Sequence, residues 1–552
     1  MENTLLFIER KLKKLEGGIA LGMKSHLGWR ELTFKGLDIL SKRLANYLIE
    51  IGIDKGDKLS ILSESMPEWG AALFASTMAG SITIPLDIKL TEYELTSILS
   101  DCQPKVMLVS STYLPMAIKL KETIKSIEHI IIINDAGSIK DYPSIYTLED
   151  KPNRKWRHRN INSTALIIYT SGTTGNPKGV EISFRNILAQ VKAMGPCFNM
   201  GPNDRLLSIL PMNHLFELTV GFLTFLSLGT SIYYSKSLKP KDIFELMEEK
   251  QITFMIVVPA FMKLLESSIH AELRSKSMFA RRMFDIKYQL AKFIKFKKIK
   301  KLMFKDIHKK FGGKFKGFLS GGAPLDIKAA KFFENIGMTI YEGYGLSEAS
   351  PVVSLNTDEA RKLGSVGKPL SNVTAKIDSE TGELLVKGDN VMKGYYNKPD
   401  MTDEVITPDG WLHTGDIAKI DKDGFIWITG RIKNMIVLSG GKKVFPEEIE
   451  ALLEKNPNFQ EVCALGAKRK NGQKDGCEDI YVFVRPKQHI YDERGGNLED
   501  VEKFVKYEVK EMSKQLSHFK RPNNIFLFNE PMPRTATSKI KRREIKKMFN
   551  LD

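Results

Sequence analysis

The stretch Tyr169-Thr-Ser-Gly-Thr-Thr-Gly-Asn-Pro-Lys-Gly-Val180 follows a strand-like apolar run, Ala165 to Tyr169. Its glycines let the backbone turn tightly and present N–H groups to an anion. The hydroxyls of Ser171, Thr173 and Thr174 can donate to phosphate oxygens, and Lys178 adds a point charge. The Gly-x4-Gly-Lys-[Ser/Thr] spacing of a P-loop is absent. A short Gly/Ser/Thr loop is most often a plain surface turn, but twelve consecutive residues of this kind after a strand point to a phosphate cradle.

Outward from that stretch the chain alternates helix-like and strand-like segments. Leu32 to Ile51 has helical spacing, with Leu40, Leu44 and Leu48 four apart. Lys58 to Leu62 and Ser81 to Pro85 read as strands on either side of a helix from Glu68 to Met78. Val106 to Ser110 and Ile130 to Asn134 are compact apolar runs, expected as buried parallel strands. Asp150 to Asn162 is polar and reads as a surface connection. This grammar implies an α/β fold with parallel-rich sheets flanked by helices. Beyond about 431 the character changes: a short strand from Met435 to Ser439, a helix from Pro446 to Leu453, then a polar tail. The expected division is a large N-terminal domain over 1–430, built of several subdomains, a hinge at 431–433, and a small mobile α+β domain over 434–552.

Further motifs come in order: Leu210-Pro-Met-Asn-His-Leu-Phe-Glu217, Ser320-Gly-Gly-Ala-Pro324, Tyr341-Glu-Gly-Tyr-Gly-Leu-Ser-Glu348, Gly410-Trp-Leu-His-Thr-Gly-Asp416, Gly430-Arg-Ile-Lys433 and Pro533-Arg-Thr-Ala-Thr-Ser-Lys539. Together with the loop they resemble the adenylate-forming (AMP-binding) superfamily, from about residue 27 to the end. Two departures are visible: Ser347 stands where that family has threonine, and Ser538 where it has glycine. The tetrapeptide His214-Leu-Phe-Glu217 and the long helix-rich stretch between Pro259 and Ser320 are similar to the long-chain fatty acyl-CoA synthetase branch.

The resemblance implies a reaction and its residues. A carboxylate attacks the α-phosphate of ATP, giving acyl-AMP and pyrophosphate, and a thiol then displaces AMP. Cations must screen the like charges brought together in the first step. The resemblance assigns this to Mg2+, Lys178 and Lys539. Glu348 is the implied carboxylate ligand of Mg2+, with Thr170 a second candidate, since Mg2+ in such sites takes most of its oxygens from water and phosphate. The implied nucleotide set is Thr170, Ser171, Gly172, Thr173, Thr174 and Gly175 for phosphate, Gly322, Ala323, Pro324, Glu342, Gly343, Tyr344, Gly345 and Ser347 around adenine, and Asp416 and Arg431 at ribose and phosphate. Tyr344 can stack on a base, and Asp416 has two acceptor oxygens for ribose hydroxyls. His214 is expected to border the acyl pocket and take part in catalysis, with Phe216 and Glu217 holding helix and pocket wall. Lys433 marks the interdomain hinge. Gly440 and Gly441 would let a pantetheine arm pass. Trp411 and Trp427 read as packing residues.

The expected activity is therefore ATP-dependent ligation of a medium- to long-chain fatty acid to coenzyme A, with ATP, Mg2+ and coenzyme A as cofactors. Loading of an acyl carrier protein, or use of another hydrophobic acid, are the alternatives. A non-catalytic lipid-binding relative is disfavoured by the intact Lys178, Glu348, Asp416, Arg431 and Lys539. A homodimer is open by resemblance only. The first residues carry Glu2, Glu9, Arg10, Lys11, Lys13 and Lys14, so no signal peptide is expected and the chain reads as cytoplasmic, with an option of peripheral attachment to the inner face of a membrane. Leu218 to Ser235 is uncharged but rich in Gly, Ser and Thr, and fits a buried helix followed by a strand better than a span. Cys102, Cys197, Cys463 and Cys477 form no CxxC pair and are expected to be buried, reduced thiols.

Composition is that of a globular enzyme: 552 residues, 42% hydrophobic and 27% charged. The net charge of +17 is unevenly placed. Arg281 to Lys316 carries 14 basic and two acidic residues, and Arg534 to Asp552 seven and two, so these segments account for the whole excess. The second surrounds Lys539. The first combines Met283, Ile286, Leu290, Phe293 and Ile294 at helical spacing with lysines. It reads as a helix docked on the core, as one resting on an anionic membrane, or as a dock for an acidic carrier. A nucleic-acid partner is not expected, because no nucleic-acid motif accompanies the charge.

Overall fold

A computed structural model describes residue 15 and residues 17–551, except 26–27, 135–138, 140, 153–154, 171–176, 439–441, 469–477 and 535–539, and without the side chain of Lys468. The chain divides into two compact units, one of residues 1–374 and 386–412, the other of 375–385 and 413–552.

In the larger unit two sheets carry the architecture among the described residues. The first runs in the order Gly394–Tyr395, Lys178–Ser183, Thr164–Thr170, Ile82–Pro85, Lys58–Leu62, Val106–Val109, His129–Ile132. Its last five strands are parallel, and the first two are added antiparallel. The second runs Lys368–Pro369, Val352–Leu355, Thr339–Gly345, Gly317–Ser320, Phe254–Val257, Arg205–Ser208, Ser231–Tyr234, Ile19–Ser25, Gly28–Thr33. Its six inner strands are parallel and the edges antiparallel. The expected strands at 58–62, 81–85, 106–110 and 130–134 all appear within a residue or two, and Val106–Val109 is wholly buried, as a strand covered on both faces must be. Helix Phe34–Glu50 buries Leu40, Leu44 and Leu48, and Thr33 caps its N-terminus.

The smaller unit has a four-stranded sheet, whose last two strands are Leu412–Ile420 and Ile426–Arg431, and a three-stranded sheet of Phe459–Lys468, Glu478–Pro486 and Asn524–Leu527. Helix Pro446–Leu453 lies where the sequence predicts it. Packing therefore divides the chain at Leu412/His413 and not at 430. Residues 413–430 meet the rest of the smaller unit through the Ala418 N–H, which donates to the Gly382 carbonyl at 3.1 Å, and through Gly430, where a Cβ would lie 2.7 Å from the Phe445 ring.

Leu218 to Ser235 is a buried helix and strand, as expected, but Phe216–Thr224 is wound as a π-helix. Among the described residues no helix is long and apolar enough to cross a membrane. Cys102 and Cys463 are buried, Cys197 only half-buried, and Cys477 lies outside the described residues, as do the N-terminal charges at 2–14.

The basic segment resolves into helices Met278–Ala291, Lys297–Met303 and Lys305–Lys310. The expected docking stripe is not the one that docks: Met283, Ile286, Leu290 and Phe293 are exposed, and Phe284 and Tyr288 pack on the core instead.

Candidate functional site

The two strands that flank the phosphate loop, Thr164–Thr170 and Lys178–Ser183, pair antiparallel, and Thr170 stands opposite Lys178. Ser171, Gly172, Thr173, Thr174 and Gly175 lie between them, outside the described residues. The pairing brings both ends of the loop together, which is what a cradle requires. Lys398 Nζ donates to the Pro177 carbonyl at 3.3 Å and Tyr396 N–H to the Gly179 carbonyl at 2.7 Å, fixing the second arm.

Beside this arm lies a constellation the sequence did not reveal. The ammonium of Lys178 sits 5.2 Å from the ring centre of Tyr395, and the Tyr395 hydroxyl donates to Glu348 Oε1 at 2.9 Å. The main chain adds a second tie, Met392 N–H to the Glu348 carbonyl at 2.8 Å. Tyr395 is placed by strand pairing of Gly394–Tyr395 with Val180 and Glu181. Burial and the Glu348 carboxylate push its phenol well above the usual range, so it remains a donor. Lys178 and Glu348 are 170 residues apart by number, and Tyr395 joins them. An aromatic pair, Tyr395-Tyr396, in a Gly-led turn was the only signal, and nothing in it names a partner.

Glu348 Oε2 has no partner among the described residues. Of the candidates for a cation, Glu348 offers one carboxylate oxygen, and Thr170 ends its strand opposite Lys178. Among the described residues there is no group of three or more His, Cys, Asp or Glu that could hold a metal. Such a sparse set suits a hard cation that draws most of its oxygens from phosphate and water, which is Mg2+ rather than Zn2+.

The adenine candidates sit at the carboxyl ends of parallel strands, where ligands of open α/β sheets bind. Gly317–Ser320 and Thr339–Gly345 are neighbours, with Ser320 opposite Glu342. The turn after Ser320 needs its glycines. Gly322 has φ +84°, and a Cβ on Gly321 would lie 3.1 Å from the Phe216 ring. A Cβ on Gly345 would meet the Pro351 carbonyl oxygen at 1.9 Å, so only glycine fits before Leu346. Ala323 and Pro324 complete the turn, and Gly343 and Tyr344 pair with Leu355 and Ser354. Glu342 is buried, and burial pushes its carboxyl up to about 8. Its Oε2 and the Ser320 hydroxyl are both buried without a hydrogen-bond partner among the described residues, two polar groups on neighbouring strands that suit a polar ligand. Ser347 opens the short turn Ser347–Ala349 that presents Glu348.

His214 begins the buried segment. Its Nε2 has no partner among the described residues, and burial lowers its pKa, so it is a neutral imidazole near neutral pH. Glu217, one turn on, is wholly buried. Ser208 Oγ donates to its Oε1 at 2.6 Å, and desolvation pushes the carboxyl up to about 8. A Cβ on Gly221 would lie 2.5 Å from that same Oε1, so the glycine makes room for the carboxyl inside the π-helix. Such π segments often mark functional sites. Gly221→Ala is expected to lower stability by about 1–3 kcal/mol, measured by chemical denaturation. An unchanged midpoint would contradict this packing. The folded chain holds a proton on Glu217 that the unfolded chain releases at its ordinary value of 4.5, so stability falls as pH rises from 4.5 to about 8. Glu217→Gln is expected to flatten that slope, and an identical slope would contradict the assignment.

In the smaller unit Asp416 and Arg431 form a two-pronged pair, Nε to Oδ1 at 2.6 Å and Nη2 to Oδ2 at 3.3 Å. The sequence assigned the two to a nucleotide separately, and the structure brings them together. Asp416 is buried, whereas the Arg431 side chain is 49% exposed. The turn before Asp416 is held by a residue the sequence reading missed. Glu383 accepts from Gly415 N–H at 2.7 Å and lies 2.8 Å from His413 Nδ1, and Gly415 has φ +72°. Lys433 is exposed in the turn Ile432–Asn434. Trp427 Nε1 donates to Asp421 at 3.2 Å, and both Trp411 and Trp427 are half-buried. Gly440, Gly441, Ser538 and Lys539 lie outside the described residues. The ends of the 535–539 segment meet in a bridge between Arg534 and Ile540. Ion pairs anchor both sides, Arg534 to Glu461 at 2.6 Å and Arg542 to Glu450 at 2.6 Å.

The AMP-binding enzyme family matches residues 9–396. The chain belongs to that family. Among curated relatives it is similar to a long-chain-fatty-acid–CoA ligase of Salmonella typhimurium, 29% identical over 93% of this chain and 90% of the relative. A protein of the same name from Bacillus subtilis is 28% identical over 94% and 90%. Among solved structures, ATP-bound MatB from Rhodopseudomonas palustris superposes with a TM-score of 0.79, is 24% identical, and is covered over 99% of both chains, which establishes the shared fold.

Proposed function

We propose that the chain is an AMP-forming acid–thiol ligase that activates a medium- to long-chain fatty acid and transfers it to coenzyme A. The observation that carries the chemistry is the Lys178–Tyr395–Glu348 constellation at the mouth of the phosphate loop. The substrate class is supported by the names of the relatives and by the helices between Pro259 and Ser320.

In this reading residues 170–175 and Lys178 bind the phosphates of ATP, and Glu348, with Thr170, holds Mg2+. The cation, when bound, neutralises phosphate charge so that a carboxylate can approach. Tyr395 orients Glu348 by occupying Oε1, leaving Oε2 to face the cation. The Gly322–Pro324 turn, Glu342 and the Gly343–Ser347 segment enclose adenine, with Tyr344 stacked on it. Asp416 accepts from ribose while Arg431 braces that carboxylate and reaches for oxygens of the nucleotide. The acid's oxygen attacks the α-phosphorus, pyrophosphate leaves, and Lys539 steadies the charge that develops. The thiol then attacks the acyl carbon and AMP departs. Neutral His214 borders the acyl chain. Lys433 is the pivot about which the C-terminal unit turns between the two steps, exchanging Lys539 for the Gly440–Gly441 strip along which pantetheine enters. Dimerisation belongs to this reading.

The test supplies ATP, Mg2+ and a series of fatty acids from short to long, and identifies the thioester by mass with coenzyme A or acyl carrier protein as acceptor. Acyl-CoA from the longer acids is expected. Thioester on carrier protein alone would move the assignment to a carrier-loading ligase. Tyr395→Phe is expected to raise the Mg2+ requirement several-fold while leaving the fold intact. An unaltered Mg2+ titration would remove Tyr395 from the site.

A further inference from the structure

Among the described residues, nine of the seventeen exposed large hydrophobic side chains fall within Met278 to Leu302. Phe279 is 76% exposed, Phe293 86% and Phe296 72%. A concentration of this kind on a water-facing surface marks an interaction site. Between the same two residues are nine basic side chains and one acid, Asp285.

Helix Met278–Ala291 is apolar on two separate faces. At 3.6 residues per turn, Phe284, Tyr288 and Ala291 fall within about 60° of one another. This face docks: Phe284 lies 5.6 Å from Phe304, Tyr288 lies 5.9 Å from Phe332, and Ala291 is buried. Phe279, Met283, Ile286 and Leu290 fall within another arc of about 60°, centred roughly 130° away. Nothing in the described chain covers that second face, and all four are exposed. Arg282 borders it on one side and Lys287 on the other, each about 40° from the nearest apolar residue. This is the section of an interfacial helix, with an apolar stripe and basic rims whose alkyl stems reach outward.

The lysines divide into two sets. Lys297 donates to Thr339 Oγ1 at 2.8 Å and Asp358 Oδ1 at 3.0 Å, Lys300 to the Glu334 carbonyl at 3.2 Å, and Lys301 to the Phe315 carbonyl at 2.8 Å. These tie helix Lys297–Met303 to the body. Arg282, Lys287, Lys295 and Lys298 are exposed and have no hydrogen-bond or ion-pair partner among the described residues. The charge set available to an outside partner is thus the second, and it surrounds Phe279, Leu290, Phe293 and Phe296.

We infer that helix Met278–Ala291 and the turn after it dock on an anionic phospholipid bilayer, with Phe279, Met283, Ile286, Leu290 and Phe293 entering the headgroup–acyl boundary and Arg282, Lys287, Lys295 and Lys298 meeting lipid phosphates. Charge complementarity selects an anionic surface, and aromatic and aliphatic tips standing above the lysines select a lipid over a folded acidic protein. The contact itself stands without the ligase activity. Its use, delivering an acid already dissolved in the bilayer, rests on the proposed function.

The test is co-sedimentation of the full chain, without ATP, with phosphatidylcholine vesicles that contain or lack phosphatidylglycerol. Binding is expected only with phosphatidylglycerol, and it should weaken as salt rises. The variant combining Arg282→Gln, Lys287→Gln, Lys295→Gln and Lys298→Gln is expected to bind at least about 10-fold more weakly. The variant combining Phe279→Ser and Leu290→Ser should also lose roughly 10-fold. If the second variant fails to fold, Phe293→Ser alone, in the turn, serves in its place. Both variants should keep wild-type size on gel filtration and wild-type turnover with a water-soluble medium-chain acid. Equal binding to both vesicle types, or vesicle binding unchanged in either variant, overturns the inference. So does a dimer of the wild-type chain that these substitutions dissociate, because the stripe would then be covered by a second copy. Loss of turnover with normal vesicle binding would count against the ligase reading alone.

Discussion

Lys539→Ala is expected to lower acid-dependent exchange of pyrophosphate into ATP by roughly 100- to 1,000-fold, the scale for removing one preorganised charge from a transition state. The second half-reaction, thioester formation from preformed acyl-AMP and coenzyme A, is expected to change by less than about 3-fold. The asymmetry comes from the role given to Lys539, which meets charge only while pyrophosphate leaves. Equal loss in both half-reactions would show that the substitution harms the C-terminal unit as a whole. Local structure supports the distinction. Arg534 pairs with Glu461 and Arg542 with Glu450 on either side of the segment, and neither pair depends on the lysine. Ser538 stands where the resembling family has glycine, and Ser538→Gly is expected to leave adenylation within about 3-fold if the serine backbone is unstrained.

Glu348→Gln carries the second large effect. It keeps the side chain's size and an oxygen for the Tyr395 hydroxyl, yet removes the charge that attracts the cation. Adenylation is expected to fall about 100-fold at low Mg2+, with partial recovery as Mg2+ is raised. Tyr395→Phe should shift the same titration in the same direction but less far. A loss that Mg2+ does not relieve would place Glu348 in packing, not in the metal's coordination. Lys178 lies against the Tyr395 ring and faces Thr170 across the strands; under the proposed role, neutralising it is expected to weaken phosphate binding without moving the Mg2+ titration.

The parts of this fold that were legible in the sequence are those set by local pattern. The strand Lys58–Leu62 and the helix Pro446–Leu453 begin and end where the sequence predicts, because each is a compact run between clear breakers. In the larger unit the Tyr395 hydroxyl bonds Glu348 and the Tyr395 ring lies beside Lys178, while Ser320 stands opposite Glu342. Tyr395 and Glu383 were illegible because each acts through a partner that only the folded chain brings near. The π-winding of Phe216–Thr224 was hidden because apolar periodicity does not distinguish it from an ordinary buried helix; within it the Glu217 carboxyl lies against Gly221. Helix Met278–Ala291 shows the limit of the apolar pattern. Two stripes of equal quality exist, and only packing against Phe304 and Phe332 decides which of them is inside.

The proposed reaction passes through an acyl-adenylate formed by direct attack of the acid on the α-phosphorus. A fatty acid labelled with heavy oxygen in its carboxylate tests this in one turnover with ATP, Mg2+ and coenzyme A. One labelled oxygen is predicted in AMP and none in pyrophosphate, because the bridging oxygen stays on phosphorus when the thiol takes the acyl group. Label in inorganic phosphate, with ADP as the nucleotide product, or thioester formed with unlabelled AMP, would contradict it.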